Sequence, residues 1–451
     1  MYDVFQQAHK LVEPTKNEID FVDRVARKAF ALVKEHSTKF KGVVDVLFGG
    51  SYAKGTWLKG DVDIDIFVKV SQDLREQEFE RIGKDLGKLA LKKYKPYLRY
   101  SEHPYVEAFV DDIRVNVVPC YDVEKGKWKS AADRSPYHTQ LVKQSFDDEK
   151  RREVRLLKKF MKTMGIYGAE IATNGFSGYV CEVLILKYGT CMKVLEASAE
   201  FKERQVISLE SVEDNIIKLF DSSLIIIDPV DSRRNLGTAI SDENVGKLIL
   251  TSRRFIMKPS IKFFRGVPSR KELKFTDNII LVEFNYKDRS PDIIWGQLKS
   301  SAKTVAKQLS INGFNVIRYV TSTNEEGNAA FAFMIDSMQL PGKIVRQGPK
   351  VFDRKDSDKF IAKNLKKSQI IWIGDEARMY ALLDNKFTDA VTFLKFLFSK
   401  NINSSGIAPG LIDDIRRGYR IYSGKKVKWV RENFVKEAIG ELVTTDQFAF
   451  G

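Results

Sequence analysis

At 451 residues the chain is too long for one hydrophobic core and predicts two to four domains. Its 43% hydrophobic and 30% charged residues match a folded globular protein, and no run approaches the roughly 20 apolar residues that cross a bilayer, which excludes a helical membrane protein. The net charge of +15, from 75 Lys and Arg against 60 Asp and Glu, points to a polyanionic partner, most often nucleic acid.

The first residues, MYDVFQQAHKLVEP, carry neither a basic nor an apolar leader segment, so no secretory signal is expected. Cys120, Cys181 and Cys191 have no metal-ligand or disulfide spacing, which suits a reducing, cytoplasmic setting. Residues 17–36 read as a helix, with Ile19, Val22, Val25, Ala29, Ala31 and Val33 on one face. Strands follow at 43–50, ending in Gly-Gly, and at 62–70, with period-two alternation. A further pair is predicted at 106–110 and 113–118 around the turn Asp111-Asp112.

From about 148 to 260 the pattern is helical. Val154, Leu157, Phe160, Met161 and Met164 form an apolar stripe, while Arg151, Arg155, Lys158 and Lys162 line another face of the same helix. Further helices are expected over 178–194 and 242–256. Beyond 260 a strand at 277–286, a helix from Ser290-Pro291 to about Leu309, and strands at 314–321 and 328–336 predict an open sheet with helices on one side. Helices at 357–366, 387–400 and 427–442 complete the reading.

The stretch FGGSYAKGTWLKGDVDIDIFV, residues 48–68, concentrates the chemistry. Gly49, Gly50 and Ser51 lie between a strand and a short helix, where backbone N–H groups can approach a phosphate and the serine hydroxyl can donate to it. Asp63 and Asp65, spaced i, i+2 on a strand, share one face while Val62, Ile64 and Ile66 turn to the other. Adjacent carboxylates repel unless a cation lies between them, so this pair suits Mg²⁺ held together with substrate phosphates.

This arrangement resembles the nucleotidyltransferase superfamily related to DNA polymerase beta. GSYAKGTWLKGDVDIDIF (50–67), VVPCY (117–121), SAADRSPYH (130–138), GIYGAE (165–170), GFSGYVCEVLI (175–185) and DPVDSRRN (228–235) narrow the resemblance to the archaeal (class I) CCA-adding enzymes. It runs in order to about residue 260 and continues more loosely beyond. It implies an α/β and α+β multidomain protein: a nucleotidyltransferase head with a mixed sheet (1–145), a helical neck (146–260), and a mixed α/β body with a tail (261–451). The implied activity is template-independent addition of C, C and A to the tRNA 3′ end from CTP and ATP, with two Mg²⁺ ions and release of pyrophosphate.

By the same resemblance Gly50 and Ser51 hold the triphosphate, and Asp63 and Asp65 ligate metal. Ser135, His138, Lys158 and Tyr167 contact the nucleotide. Arg234 reads the base edge, with Asp231 as its orienting partner. The body and tail grip the acceptor and T arms of tRNA, with Arg253, Arg254, Lys258, Lys262, Arg265, Arg270 and Lys271 as candidate phosphate contacts. A homodimer stays open.

One position departs from the family pattern. Where the family carries a third carboxylate before V-V-P-C-Y, this chain has Asn116. An amide offers an oxygen but no charge, and it accepts no proton. Asp112, four residues away or roughly 13 Å along a strand, is poorly placed to substitute. The expectation is impaired catalysis with nucleotide and RNA binding retained. Two other readings remain: a catalytically silent tRNA-binding variant, and a related terminal adenylyltransferase.

Overall fold

A reciprocal cap starts the first long helix. The Thr15 hydroxyl accepts from the Glu18 backbone amide, and the Glu18 carboxylate accepts from that of Thr15. The computed structural model describes residues 2–100, 103–266 and 276–450. They form two compact units, one of residues up to 268 together with 446 onward, the other of residues 269–445.

In the first unit, helices α1 (Tyr2–Val12) and α2 (Lys16–Ser37) precede strand β1 (Val43–Gly49), the five-residue helix α3 (Gly50–Lys54), strand β2 (Asp63–Ser71) and helix α4 (Glu76–Ala90). Strands β3 (Tyr97–Tyr100), β4 (Pro104–Val110) and β5 (Ile113–Asp122) complete a sheet of order β1-β2-β5-β4-β3. Only β2 and β5 run parallel. Asp111 and Asp112 both take positive φ, 49° and 65°, the backbone of a two-residue hairpin turn that follows the strands' twist. One face of the sheet is apolar: Ile64, Ile66, Val106, Ala108, Val115 and Val117 pack with Val25 and Ala29 of α2 and Phe79 and Leu86 of α4. Ile19 is 40% exposed and Ala31 is exposed, so the buried stripe of α2 runs through Val22, Val25, Ala26, Ala29 and Val33 instead.

Helices α5 (Ser135–Ser145), α6 (Asp148–Thr163), α7 (Gly178–Tyr188) and α8 (Cys191–Ala199) follow. The single helix expected over 178–194 is two. Gly189, at φ 90°, ends the first, and the Thr190 hydroxyl starts the second by accepting from the Lys193 amide at 3.2 Å. The segment expected to be helical throughout also holds a small sheet of Gln205–Ile207, Leu224–Asp228 and Asp231–Asn235. The run Leu224–Asp228 is buried at every position and apolar through Ile227, and such a short run does not distinguish a buried strand from a helix by periodicity. Residues 446–450 pack on this unit, with Lys247 Nζ 2.8 Å from Asp446 and Phe448 against Phe263.

In the second unit, strands Val316–Thr323, Asn328–Ile335, Ile279–Asn285 and Tyr419–Ser423 form an antiparallel sheet in that order. Helix Pro291–Ile311 buries Ile294, Leu298, Val305 and Leu309 on one face. Helix Asn433–Val443 buries Val435, Ile439 and Leu442 with Ile279, Leu281, Ala330 and Ala332 on the other. The expectation of helices on one side is therefore corrected: Ile279–Val282 is apolar at every position, which calls for cover on both faces. A second sheet, Lys343–Lys350, Arg378–Asp384 and Ile370–Ile373, was not read from the sequence; helix Arg354–Asn364 accompanies it. Among the described residues no helix is long and apolar enough to cross a membrane.

Candidate active site

The polar face of the first sheet is organised by register. Gly49 on β1 pairs with Asp65 on β2, Asp65 with Asn116 on β5, Asn116 with Glu107 on β4, and Glu107 with Tyr97 on β3. One level of the sheet thus carries one of these five residues on each strand. Paired residues across a ladder project to the same side, and Asn116 Nδ2 donates to Asp65 Oδ1 at 2.9 Å. Two residues away, Asp63 pairs with Arg114, whose Nε donates to Asp63 Oδ1 at 2.8 Å.

Burial presses on these carboxylates. It raises the pKa of Asp65, against the Asn116 hydrogen bond, and Asp63 adds repulsion. Asp63 is also raised, chiefly by burial, although Arg114 opposes the shift. A cation at this face would relieve both. The donors are hard oxygens of the kind Mg²⁺ takes, and the Asn116 Oδ1 is buried with no hydrogen-bond partner. The residues present therefore fit a divalent cation, with Arg114 as the group that must yield at Asp63.

The glycine turn lies directly over Asp65. A Cβ on Gly50 would stand 1.8 Å from Asp65 Oδ2, at a φ of 62° that disfavours side chains, and one on Gly49 would stand 2.2 Å from the Phe67 ring. Gly50 and Ser51 then open α3.

The basic stripe of α6 has a structural task. Arg151 Nε donates to the Lys54 carbonyl, Arg155 to the carbonyls of Trp57 and Gly55, and Lys158 to the carbonyl and hydroxyl of Thr56. Lys162 pairs with Asp61 at 2.7 Å. Four cations on successive turns thereby fix the segment between α3 and β2, which joins the glycine turn to the two carboxylates. Lys158 is 1% exposed, with Glu182 3.4 Å away; it presents no free ammonium to solvent. Burial lowers its pKa, and Glu182 resists that shift. Burial would raise Glu182, but Lys54 and Lys158 hold it below its usual value. Tyr167 meets Lys158 at Gly178, where a Cβ would be 3.0 Å from the Tyr167 hydroxyl and 3.4 Å from Lys158 Nζ.

A second group gathers around Asp228. His138 Nε2 lies 2.9 Å from Asp228 Oδ2, the His138 ring stacks on Tyr179 at 3.8 Å, and the Tyr179 hydroxyl donates to Asp228 at 3.3 Å. Arg234 Nη1 is 3.5 Å from the same carboxylate. Burial lowers the His138 pKa although Asp228 pulls the other way, and His138 holds the Asp228 carboxyl below its usual range against the effect of burial. Lys54, bound to Glu182 at 2.8 Å and 4.9 Å from the Tyr179 ring centre, connects this group to α3. Ser135 opens α5, the helix that carries His138.

One sequence expectation is corrected here. Asp231 does not orient Arg234; it pairs with Arg134 at 2.8 Å, and Asp228 takes the Arg234 contact. Residues 228 and 231 lie on separate strands joined by a tight turn, so the choice depends on the turn and not on the spacing. The sequence reading also missed Lys54, Tyr179, Arg134 and Arg114. Of these, Arg114 was accessible, because alternation along β5 places it on the face of Asn116.

Among the basic candidates, Lys258, Lys262 and Arg265 are exposed and Arg254 is half-buried. Arg253 is exposed, yet its Nε donates to the Ala199 carbonyl at 2.7 Å. Arg270 and Lys271 lie outside the described residues.

Three family profiles match the chain in succession: a nucleotidyltransferase domain over residues 31–138, the second domain of tRNA nucleotidyltransferase over 152–265, and the C-terminal domain of CCA-adding enzyme over 276–424. The CCA-adding enzyme of Pyrobaculum islandicum is 33% identical over 401 residues, covering 88% of this chain and 94% of its own length. That of Saccharolobus solfataricus is 35% identical over 393 residues, covering 86% of this chain and 90% of its own.

Proposed function

The chain belongs to the CCA-adding enzyme family, and from that premise we propose that it adds C, C and A to the 3′ end of tRNA without a nucleic-acid template. The observation that carries this reading is the glycine turn packed on Asp65, with Asp63 and Asn116 on the same sheet face. A phosphate-binding backbone and a pair of carboxylates meet at one place, as transfer of a nucleotide from a triphosphate requires.

The RNA 3′-oxygen bonds to the α-phosphorus of CTP or ATP, the bond from that phosphorus to pyrophosphate breaks, and the hydroxyl proton passes to water. Gly50 and Ser51 orient the triphosphate. Tyr167 and the Lys158–Glu182 pair support its far side, while His138, Asp228 and Arg234 flank the nucleotide's sugar and base. Asp63, Asp65 and the Asn116 oxygen would hold Mg²⁺, which when bound favours ionisation of the attacking hydroxyl and offsets charge on the departing pyrophosphate. Arg114 must leave Asp63 for that to occur. Asn116 accepts no proton, so the rate is reduced relative to a carboxylate at this position.

Lys258, Lys262 and Arg265 contribute to binding tRNA phosphates, and the body and tail hold the acceptor and T arms. The protein works in the cytoplasm, where its buried thiols stay reduced. Incorporation of labelled CTP and ATP into tRNA ending before CCA tests the reading. The expected result is ordered addition of both nucleotides, faster in Asn116→Asp. Use of ATP alone would indicate a terminal adenylyltransferase. Arg114 on Asp63, together with Asn116, favours one second reading, a silent tRNA-binding variant; tight tRNA binding with no incorporation by either protein would establish it.

A further inference from the structure

Glu107 has no place in the mechanism above. It is 3% exposed on β4, directly across from Asn116 and on the same face as Asp65. The Tyr97 hydroxyl and the Arg99 guanidinium both donate to its Oε1, so Oε2 carries neither of these bonds. Arg99 on β3 offsets part of the cost of burying this carboxylate, and its place beside the sheet's polar face still needs a reason.

The charges of the neighbouring strands supply it. Asp63 is engaged by Arg114, and position 116 is neutral with its oxygen unpartnered. Asp65 is then the one acidic group of that level on β2 and β5 without a cationic contact. A divalent cation held at this face carries two positive charges, and Asp65 offsets one of them. Glu107 also acts on Arg114, which lies on its diagonal across the β4–β5 ladder, a spacing of roughly 7–8 Å that long side chains span. The Glu107 field already bears on both Asp63 and Arg114.

We propose that Glu107 is a positioning residue of the cation site, supplying from β4 the negative charge that Asn116 does not carry on β5 and drawing Arg114 away from Asp63. The proposal rests on the nucleotidyltransferase reading of this face. Asn116 provides the neutral oxygen, Glu107 the charge.

The test is Mn²⁺ binding to the full-length protein, followed by electron paramagnetic resonance without nucleotide or RNA. Glu107→Gln should weaken Mn²⁺ binding by about 10-fold or more, the usual effect of removing a supporting group beside a metal site. Asn116→Asp placed in the Glu107→Gln background should restore it, and Arg114→Gln should do so in part. A residue that merely held Tyr97 and Arg99 in place would give Asn116→Asp the same gain in either background, so the role requires a larger gain in Glu107→Gln than in the parent. Unchanged Mn²⁺ affinity in Glu107→Gln, or loss without rescue, overturns the proposal. Should Glu107→Gln fail to fold, Glu107→Asp decides: it keeps the charge and should bind Mn²⁺ within about threefold of the parent, and a loss as large as 10-fold counts against the role.

Incorporation of CTP and ATP by the parent, read in parallel, separates the two ideas. A parent that adds nothing, with Mn²⁺ binding that still responds as described, refutes the activity and leaves the Glu107 role standing. A parent that adds C, C and A while Glu107→Gln binds Mn²⁺ normally refutes the Glu107 role alone.

Discussion

At Asp65 the carboxylate is buried beneath Gly50 and receives one hydrogen bond, from Asn116. Its folded-state pKa is raised above the unfolded value, so the native state binds the proton more tightly, and stability is lost as pH rises through that range. Asp65→Asn removes this cost. Without metal it should raise Tm by about 2–4 °C for each kcal/mol recovered, while incorporation falls below detection; an unchanged or lower Tm would show that the ionised group is already compensated. His138 has the opposite shift. Its pKa is lowered, so the unfolded chain binds the proton more readily, and stability falls as pH drops below about 6.5. His138→Gln keeps a donor for Asp228 without titrating, and its melting temperature should decline less than the parent's between pH 7 and pH 5. Parallel declines would exclude His138 as the group responsible.

The element that decides the site's geometry is α6. Its apolar stripe, Val154, Leu157, Phe160, Met161 and Met164, is buried in the core it shares with α7 and α8, each such side chain contributing roughly 1.5–3 kcal/mol. Its basic stripe holds the carbonyls of residues 54–57. Glu182 on α7 anchors the arrangement from behind, accepting from Lys54, Thr56 and Lys158 while 1% exposed. Glu182→Ala would leave two buried ammonium groups without their counter-ion, a change that costs about 3–5 kcal/mol. Urea unfolding should show a free energy of unfolding lower by that amount, and a loss under about 1 kcal/mol would mean that water reaches the pair. Arg155→Ala should be milder in stability yet should loosen the segment between the glycine turn and β2, lowering kcat more than stability.

For the whole molecule, the +15 charge is the property that RNA meets first. Binding dominated by phosphate contacts releases counter-ions, so tRNA affinity should fall by about tenfold or more between roughly 50 and 200 mM salt. Lys262→Ala and Arg265→Ala should each reduce the salt slope by about 1 if that lysine or arginine contacts phosphate. A slope unchanged in both variants would remove the end of the first unit from the tRNA footprint.

The sequence alone determined the local chemistry. Period-two alternation put Asp63 and Asp65 on one face, the Gly-Gly-Ser turn followed a strand, and the two stripes of α6 were visible as i, i+3 and i, i+4 repeats, because each depends on residues adjacent along the chain. What faces what across the fold was decided by tertiary structure. Of the α6 stripe only Lys158 read as a nucleotide contact, and packing turned Arg151, Arg155 and Lys158 onto loop carbonyls, since orphan backbone oxygens need donors wherever water is excluded. Asp228 rather than Asp231 took Arg234 because a turn separates two strands whose spacing is silent about it. Ile279–Val282 and Leu224–Ile227 were apolar throughout, and such runs name neither the second covering layer nor the element type. Glu107 stood nine residues from Asn116 with no motif to mark it. The two-residue turn at Asp111-Asp112 sets Glu107 against Asn116, but only the parallel pairing of β5 with β2 brought both to the level of Asp65, because that register joins residues the linear chain keeps apart.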